Sequence, residues 1–214
     1  MIEFPDPSLA NEDGLLAIGG NLKPETLLEA YAKGIFPWYS EDQPILWWSP
    51  DPRMVLFPAE FHCSKRLARR MRQGLYTITF DEAFSDVIKL CAEIPREGED
   101  GTWILPEMMD AYRGMFEGRH AHSVEVWDGD ELVGGLYGVL HNSVFFAESM
   151  FSRKTDASKI ALAALCERAL HDGWKLIDCQ FHTSHLHSLG AREVSRQKFL
   201  QLIEADGDCL KADI

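Results

Sequence analysis

The residues best placed for chemistry lie at the end of an apolar run near residue 180. Asp178 and Gln180 close a strand predicted over residues 174–180, and the alternation of side chains along a strand puts both on one face. A carboxylate and an amide at a strand end can orient a reacting group, although Asp178 can equally anchor the following loop. Cys179 falls on the opposite face without a local base, which disfavours a thiolate nucleophile.

Positive charge is concentrated in one short segment of an otherwise acidic chain. Five cations fall within eight residues, namely Lys65, Arg66, Arg69, Arg70 and Arg72. A helix predicted over residues 62–73 gathers them away from the apolar stripe of Cys63, Leu67 and Met71. This surface is either a solvated helix face or a contact for the phosphate backbone of a nucleic acid.

Two further groups of polar residues need an explanation. Glu148 lies in a strand predicted over residues 144–149, so it is expected to be partly buried and to need a partner or a function. His182, His185 and His187 have a spacing that matches no zinc signature, and we predict no metal site. The loop over residues 152–159 precedes a long helix, as an anion-binding loop would, but it lacks the glycines of a phosphate-binding motif.

The elements that position these residues follow from periodicity and turn signals. Helices are predicted over residues 24–33, 62–73 and 157–171, with two more around residues 84–91 and 106–116. Strands are predicted over residues 76–80, 123–127, 132–140, 144–149 and 174–180. Asp81 is the expected N-cap of the helix that follows it, and Asp156 or Thr155 that of the long helix.

Composition describes an ordinary globular chain of 214 residues, 46% hydrophobic and 26% charged. These values exclude collagen, coiled coil and disorder, and the net charge of −13 disfavours a generic binder of nucleic acid or anionic membrane. No apolar run approaches the roughly 20 residues of a membrane span. The start of the sequence resembles no export signal and the five cysteines form no C-x-x-C, so we expect reduced thiols in the cytoplasm.

A change in composition suggests two domains. The first sixty residues hold most of the ten prolines and three of the six tryptophans. We therefore predict a small N-terminal mixed domain over residues 1–60 and a larger domain over residues 61–214.

Read together, these segments resemble the leucyl/phenylalanyl-tRNA–protein transferase family. The matching stretches follow one another in family order over nearly the whole chain. They are NEDGLLAIGG at 11–20, GIFPW at 34–38, LWWSPDPR at 46–53, GTWI at 101–104, HAHSVEVW at 120–127, GGLYG at 134–138, ESMFS at 148–152, ASK at 157–159 and LIDCQ at 176–180.

The resemblance implies a cytoplasmic bacterial enzyme that transfers Leu or Phe, with Met as a further candidate, from aminoacyl-tRNA. The acceptor would be a protein beginning with Arg or Lys, which then enters N-end rule degradation. It also implies an α+β or α/β fold whose second domain has the mixed sheet of GNAT-like acyltransferases. Because an aminoacyl ester is already activated, no cofactor, ATP or metal is expected.

The resemblance also assigns roles to individual residues. It implies that Asp178 and Gln180 are catalytic, and that the cations between Lys65 and Arg72 bind tRNA. Six positions are implied to bind substrate, namely Trp38, Trp103, Phe145, Glu148, Ile177 and Thr183. Leu136 and Ala169 stand where some members carry other side chains in or near the pocket.

Two alternatives compete with this hypothesis. A CoA-dependent N-acetyltransferase of the same fold would need a Gly-rich pyrophosphate loop before the long helix, and residues 153–159 contain no glycine. A non-catalytic tRNA-binding module would not need Asp178 and Gln180 beside an aromatic pocket.

Overall fold

The structure is a computed structural model that describes residues 3–94 and 102–204. Gly101 of the motif at 101–104 and Cys209 lie outside the described residues, as do residues 1–2 of the first predicted domain and residues 205–214 of the second. The strands are β1 (Leu15–Ile18), β2 (Phe36–Pro37), β3 (Leu46–Trp48), β4 (Arg53–Leu56), β5 (Thr77–Phe80), β6 (Ala121–Asp128), β7 (Glu131–His141), β8 (Val144–Ser152), β9 (Leu176–Gln180) and β10 (Arg192–Val194). The helices are α1 (Pro24–Ala32), α2 (Lys65–Arg72), α3 (Phe84–Glu93), α4 (Pro106–Glu117), α5 (Ala157–Asp172), α6 (Ser184–Ser188) and α7 (Arg196–Glu204).

Seven strands form a large sheet in the order β10-β4-β9-β8-β7-β6-β5. Strands β8 and β9 run parallel, and the other neighbouring strands of this sheet run antiparallel. A parallel pair needs a crossover connection, and α5 provides it between β8 and β9. The predicted mixed sheet flanked by helices is therefore confirmed.

Apolar side chains cover both faces of the large sheet. On one face Ile160 of α5 belongs to the same buried cluster as Leu136 of β7. On the other face Val87 of α3 and Met108 of α4 join Tyr137 of β7 in a second cluster. Consecutive residues of β7 thus pack into the clusters on opposite faces of the sheet, because side chains alternate between the two faces of a strand. The carboxyl end of β9 lies between these layers and carries the candidate site.

The N-terminal segment forms a small antiparallel sheet in the order β1-β3-β2. Gly34 follows α1 with φ +69°, and a Cβ atom there would lie 2.9 Å from the Phe199 ring of α7, so glycine suits both the turn and the close packing. Strand β4 precedes residue 60 and yet belongs to the large sheet, so the two sheets divide the chain between Trp48 and Arg53. The domain boundary at residue 60 stays a prediction.

The predicted N-cap at Asp81 is wrong, and the one at Asp156 is confirmed in position only. The N-cap position of α3 is Ala83, and the Asp81 carboxylate instead accepts the backbone N–H of Ser123 at 2.8 Å. Asp156 does occupy the N-cap position of α5, but its backbone is left-handed at φ 67° and its side chain makes no capping hydrogen bond. Tertiary partners compete for both carboxylates, which a local rule cannot anticipate.

The described helices include none that combines the length and the apolar character needed to cross a bilayer.

Candidate active site

The candidate site is built around a buried ion pair between neighbouring strands. Arg53 of β4 donates from Nε and Nη2 to the two carboxylate oxygens of Asp178 on β9, at 2.8 and 2.7 Å. Both side chains are fully buried, and the guanidinium lies between the rings of Phe36 and Phe199, 4.7 and 4.5 Å from their centroids. A bidentate pair held between aromatic rings fixes the orientation of the Asp178 carboxylate.

Gln180 ends β9 in a left-handed conformation, with φ 55°. Its backbone N–H donates to Asp178 Oδ1 at 3.1 Å, so the Arg53–Asp178 pair holds the main chain of Gln180. The Nε2 atom of its side chain is buried without a hydrogen-bond partner among the described residues. A buried amide edge without a partner can be completed by a polar atom of a ligand.

The predicted separation of Gln180 from Cys179 by strand alternation is wrong, whereas Asp178 does lie apart from Cys179. Cys179 and Gln180 both line the site cavities, whereas Asp178 lies in the sheet beneath them against Arg53. The register between β4 and β9 shifts at Met54 and Val55, and the left-handed backbone of Gln180 redirects its side chain. The period of two requires an unbroken extended strand, and β9 is not extended at its last residue.

Two adjoining cavities meet at this point. They share Glu148, Cys179, Gln180 and Thr183. The larger cavity, of about 730 Å³, is otherwise lined by Leu136, Ala147, Ser149, Met150, Leu162, His185 and Leu186. The smaller, of about 340 Å³, is completed by Phe36, Pro37, Trp38, Trp103 and Phe181. The site therefore offers one aliphatic and one aromatic compartment on either side of the same polar groups.

Glu148 stands at the junction and is held by two tyrosines of other elements. The hydroxyls of Tyr31 and Tyr112 lie 2.8 Å from Oε1 and Oε2 of Glu148, respectively, and 2.5 Å from each other. Burial raises the pKa of Glu148 to about 7, although the two tyrosine hydrogen bonds oppose this shift. A carboxyl group that titrates near neutrality can exchange a proton during a reaction.

The sequence-predicted pocket residues are brought together only in part. Trp38 and Trp103 line the smaller cavity, while Glu148 and Thr183 line both. Phe145 is fully buried and stacks on Trp174 at 5.7 Å between ring centroids, and Ile177 is fully buried in the same core. The substrate-binding roles of all six remain predictions, and neither Phe145 nor Ile177 lines the two cavities that meet at Gln180.

Neither Cys179 as a nucleophile nor the three histidines as metal ligands is favoured by the structure. Burial raises the pKa of Cys179 well above its usual value, which disfavours the thiolate that a nucleophile needs. Of the three histidines His185 alone lines either of these two cavities, and the rings of His182 and His187 lie 5.9 Å apart. Across residues 3–94 and 102–204 no group of three metal-binding side chains comes together.

The cations of α2 divide into two sets. Arg70 donates to the Thr155 carbonyl at 2.8 Å, and both Arg66 and Arg70 lie about 3.5–3.6 Å from Asp156. Lys65, Arg69 and Arg72 are exposed. Of the five cations, only Lys65, Arg69 and Arg72 form no ion pair among the described residues. We call these three residues the outward cations.

Comparison with known proteins identifies the family. The family model of the leucyl/phenylalanyl-tRNA protein transferase matches residues 55–204, and the model of its N-terminal domain matches residues 20–51. The chain belongs to the leucyl/phenylalanyl-tRNA protein transferase family. A transferase of this name from Syntrophobacter fumaroxidans is 57% identical, over 94% of this chain and 86% of its own length. Another, from Stutzerimonas stutzeri, is 54% identical over 94% of this chain and 90% of its own length.

Family membership confirms the prediction of an aminoacyltransferase. Solved structures offer only distant similarity. A GCN5-related N-acetyltransferase from Kribbella flavida has a TM-score of 0.42 and 12% identity, covering 77% of this chain and 58% of that one. A structure of L-PGS from Bacillus licheniformis gives the same TM-score and identity, with coverages of 79% and 57%. The assignment of this transferase therefore rests on its sequence relatives.

Sequence reasoning missed three residues of this transferase site. The sequence gives Arg53 no role beyond the matching stretch at 46–53, and it gives Tyr31 and Tyr112 none. A cation inside the apolar strand Arg53–Leu56 was the available signal, because a buried arginine needs a partner. The tyrosines lie on apolar helix faces and gave no comparable signal.

Proposed function

We propose that this transferase moves leucine or phenylalanine from aminoacyl-tRNA to the α-amino group of a protein that begins with Arg or Lys. The observation that carries the proposal is the pair of compartments meeting at Gln180 and Glu148. In such an arrangement the ester bond of the donor can lie beside Gln180 and Glu148, with its acyl group in one compartment and its ribose in the other.

The chemistry needs positioning more than activation. The amine nitrogen forms the new C–N bond, and the C–O bond to the tRNA ribose breaks. An α-amine has a pKa of about 7.7–8.0, so a large fraction is already neutral near pH 7.5. In the proposed mechanism the Gln180 amide accepts a hydrogen bond from the amine, and Asp178 holds the Gln180 backbone for that contact.

The two compartments suit the two ends of the donor. The aliphatic side chains of Leu136, Met150 and Leu162 in the larger cavity fit a leucyl or phenylalanyl group. Trp38 is 37% exposed and lines the smaller cavity with Trp103, and indole faces stack well on a nucleobase. We therefore propose that the terminal adenosine occupies the aromatic compartment.

The choice of a basic acceptor is supported by charge. The chain carries a net charge of −13, which attracts a basic N-terminus. We propose further that the product enters N-end rule degradation in the cytoplasm, where aminoacyl-tRNA is available.

A test of this function uses radiolabelled donors and an Arg-initiated peptide. Leu-tRNA and Phe-tRNA should label the peptide, and Val-tRNA should be roughly 10- to 200-fold poorer, because a lost methylene costs about 1–3 kcal/mol in an apolar pocket. Acetyl-CoA serves as the control donor for an N-acetyltransferase. Equal use of Val-tRNA and Leu-tRNA would refute the pocket assignment, and labelling from acetyl-CoA alone would refute the function.

Charge on α2 gives a separate prediction for the tRNA body. Replacing the outward cations Arg69 and Arg72 with Ala should weaken Leu-tRNA binding several-fold, and each lost phosphate contact should reduce the salt slope by roughly one. Affinity measured across a salt series checks this. Arg66→Ala and Arg70→Ala should also lower the unfolding temperature, because they remove partners of Asp156.

The control for this prediction is a donor without the tRNA body. Transfer from aminoacyl-adenosine should hardly change in the Arg69 and Arg72 variants, since that donor cannot reach α2. An equal loss with both donors would show that these arginines support the fold and do not contact tRNA.

A further inference from the structure

The contacts around Glu148 fix the number of protons that Glu148, Tyr31 and Tyr112 must share. Three oxygen–oxygen contacts close a ring, namely Tyr31 to Glu148 at 2.8 Å, Glu148 to Tyr112 at 2.8 Å, and Tyr112 to Tyr31 at 2.5 Å. Each contact of this length requires one proton between its oxygens. A tyrosine hydroxyl has a single proton, so the two phenols supply two of the three.

The third proton has to reside on Glu148. Both tyrosines keep their proton, because burial raises the pKa of Tyr31 and of Tyr112 well above the usual value. If Glu148 were a carboxylate, both phenols would donate to it. Their oxygens would then face each other at 2.5 Å with no proton between them. A protonated Glu148 lets one hydroxyl donate to the next around the ring, and all three contacts are satisfied.

We propose that Tyr31, Tyr112 and Glu148 form a three-proton ring that holds Glu148 as a neutral acid, and that Glu148 protonates the departing ribose oxygen. This inference rests on the proposed aminoacyl transfer. Glu148 is the group that reaches substrate, because it lines both compartments beside Gln180. The two tyrosines are positioning residues that act through it.

Every proton in the proposed acyl transfer is accounted for. The lone pair of the amine forms the C–N bond, and the C–O bond breaks with its electron pair moving to the ribose oxygen. That oxygen takes the proton of Glu148, and the surplus proton of the amine nitrogen returns to Glu148. The ring is therefore restored after each transfer, and no other acid or base is consumed.

The surroundings of Glu148 favour its neutral form below about pH 7. Burial has the largest effect and raises its pKa to about 7, and the negative charge of Asp178 on β9 acts in the same direction. The hydrogen bonds from Tyr112 and Tyr31 and the charge of Arg53 on β4 oppose it. Tyr137 on β7 faces the tyrosine pair, and His185 lines the larger cavity with Glu148.

Infrared difference spectroscopy of the free enzyme tests the ring directly. Spectra of wild type minus Glu148→Gln should show a protonated carboxyl group that disappears as the pH rises through about 7. Tyr31→Phe, Tyr112→Phe and the double variant should shift this midpoint by similar amounts, because either change opens the ring. Tyr39→Phe removes a tyrosine–glutamate contact elsewhere, to Glu107 at 3.3 Å, and should leave the midpoint unchanged.

Single-turnover transfer from Leu-tRNA tests the proton donor. After correction for the free-amine fraction, the wild-type rate should fall about tenfold per pH unit above the midpoint, and the Glu148→Gln rate should be lower and independent of pH. A corrected rate that rises through the midpoint would overturn the donor role. A Glu148 that is mostly carboxylate at pH 6, or additive shifts from the two tyrosine variants, would overturn the ring.

The two proposals can fail separately. If wild type transfers nothing from Leu-tRNA, the proposed function and the proton-donor step are both wrong. The ring still stands or falls on the spectra, which need no substrate.

Discussion

Replacing Arg53 with methionine should lower the free energy of unfolding by about 3–5 kcal/mol and abolish aminoacyl transfer. Removing one member of a buried ion pair leaves the other charge buried without compensation. Arg53 and Asp178 are both fully buried, and the pair joins β4 to β9. Denaturant unfolding measures the stability loss, and labelling of an Arg-initiated peptide measures transfer.

A neighbouring exposed pair provides the matched control. Arg192 on β10 binds Glu60 through two contacts of 3.0 and 3.2 Å, and both side chains are about half exposed. Arg192→Met should therefore cost only about 0–1 kcal/mol. The double variant Arg53→Met with Asp178→Asn should regain much of the stability without regaining transfer, since no charge is left buried. A stability loss for Arg53→Met no larger than that for Arg192→Met would contradict the buried-pair argument.

The elements of the large sheet could be predicted because their signals are local. Turn residues at Asp128 to Asp130 and at His141 and Asn142 separate three apolar runs, and β6, β7 and β8 lie where those runs are. The basic helix was predicted three residues too early. Ser64 caps it by accepting the N–H of Leu67 at 3.2 Å, so it begins at Lys65.

The polar core of the site could not be predicted because its partners are distant in sequence. Arg53 and Asp178 are 125 positions apart, and Tyr31 and Glu148 are 117 apart. A buried arginine in a short strand indicates that a partner exists, but not which carboxylate it is. The positions of α1 and α4 against the sheet decide that both tyrosines reach Glu148.

The direction of the Gln180 side chain could not be predicted, because it depends on an unusual backbone conformation. A left-handed backbone is uncommon outside glycine, asparagine and aspartate, and nothing in the residues around Gln180 marks one. The Asp178 carboxylate receives the Gln180 N–H and so favours this conformation. Backbone strain of this kind often lies at functional sites.

Asp178→Asn and Gln180→Ala should each reduce transfer by about 10²-fold or more, the usual scale for a lost polar group that positions a reaction. The Asn variant removes the charge that pairs with Arg53 and supports the Gln180 backbone. The Ala variant removes the amide edge itself. Leu-tRNA binding should survive in both, because neither side chain is expected to hold the tRNA body or the leucyl group. Single-turnover rates at saturating Leu-tRNA, together with donor affinity, check both statements.

Cys179→Ser separates direct attack by the amine from a covalent route. Cys179 lines both compartments beside Gln180, so its location alone permits a thioester intermediate. The raised pKa of its thiol argues against one, since the thiolate is the nucleophilic form. Serine keeps the size of the side chain, and the variant should retain near-wild-type transfer in the same single-turnover assay. A folded Cys179→Ser enzyme that binds Leu-tRNA and transfers nothing would establish the covalent route, and Gln180 would then have to position an acyl-enzyme for the incoming amine.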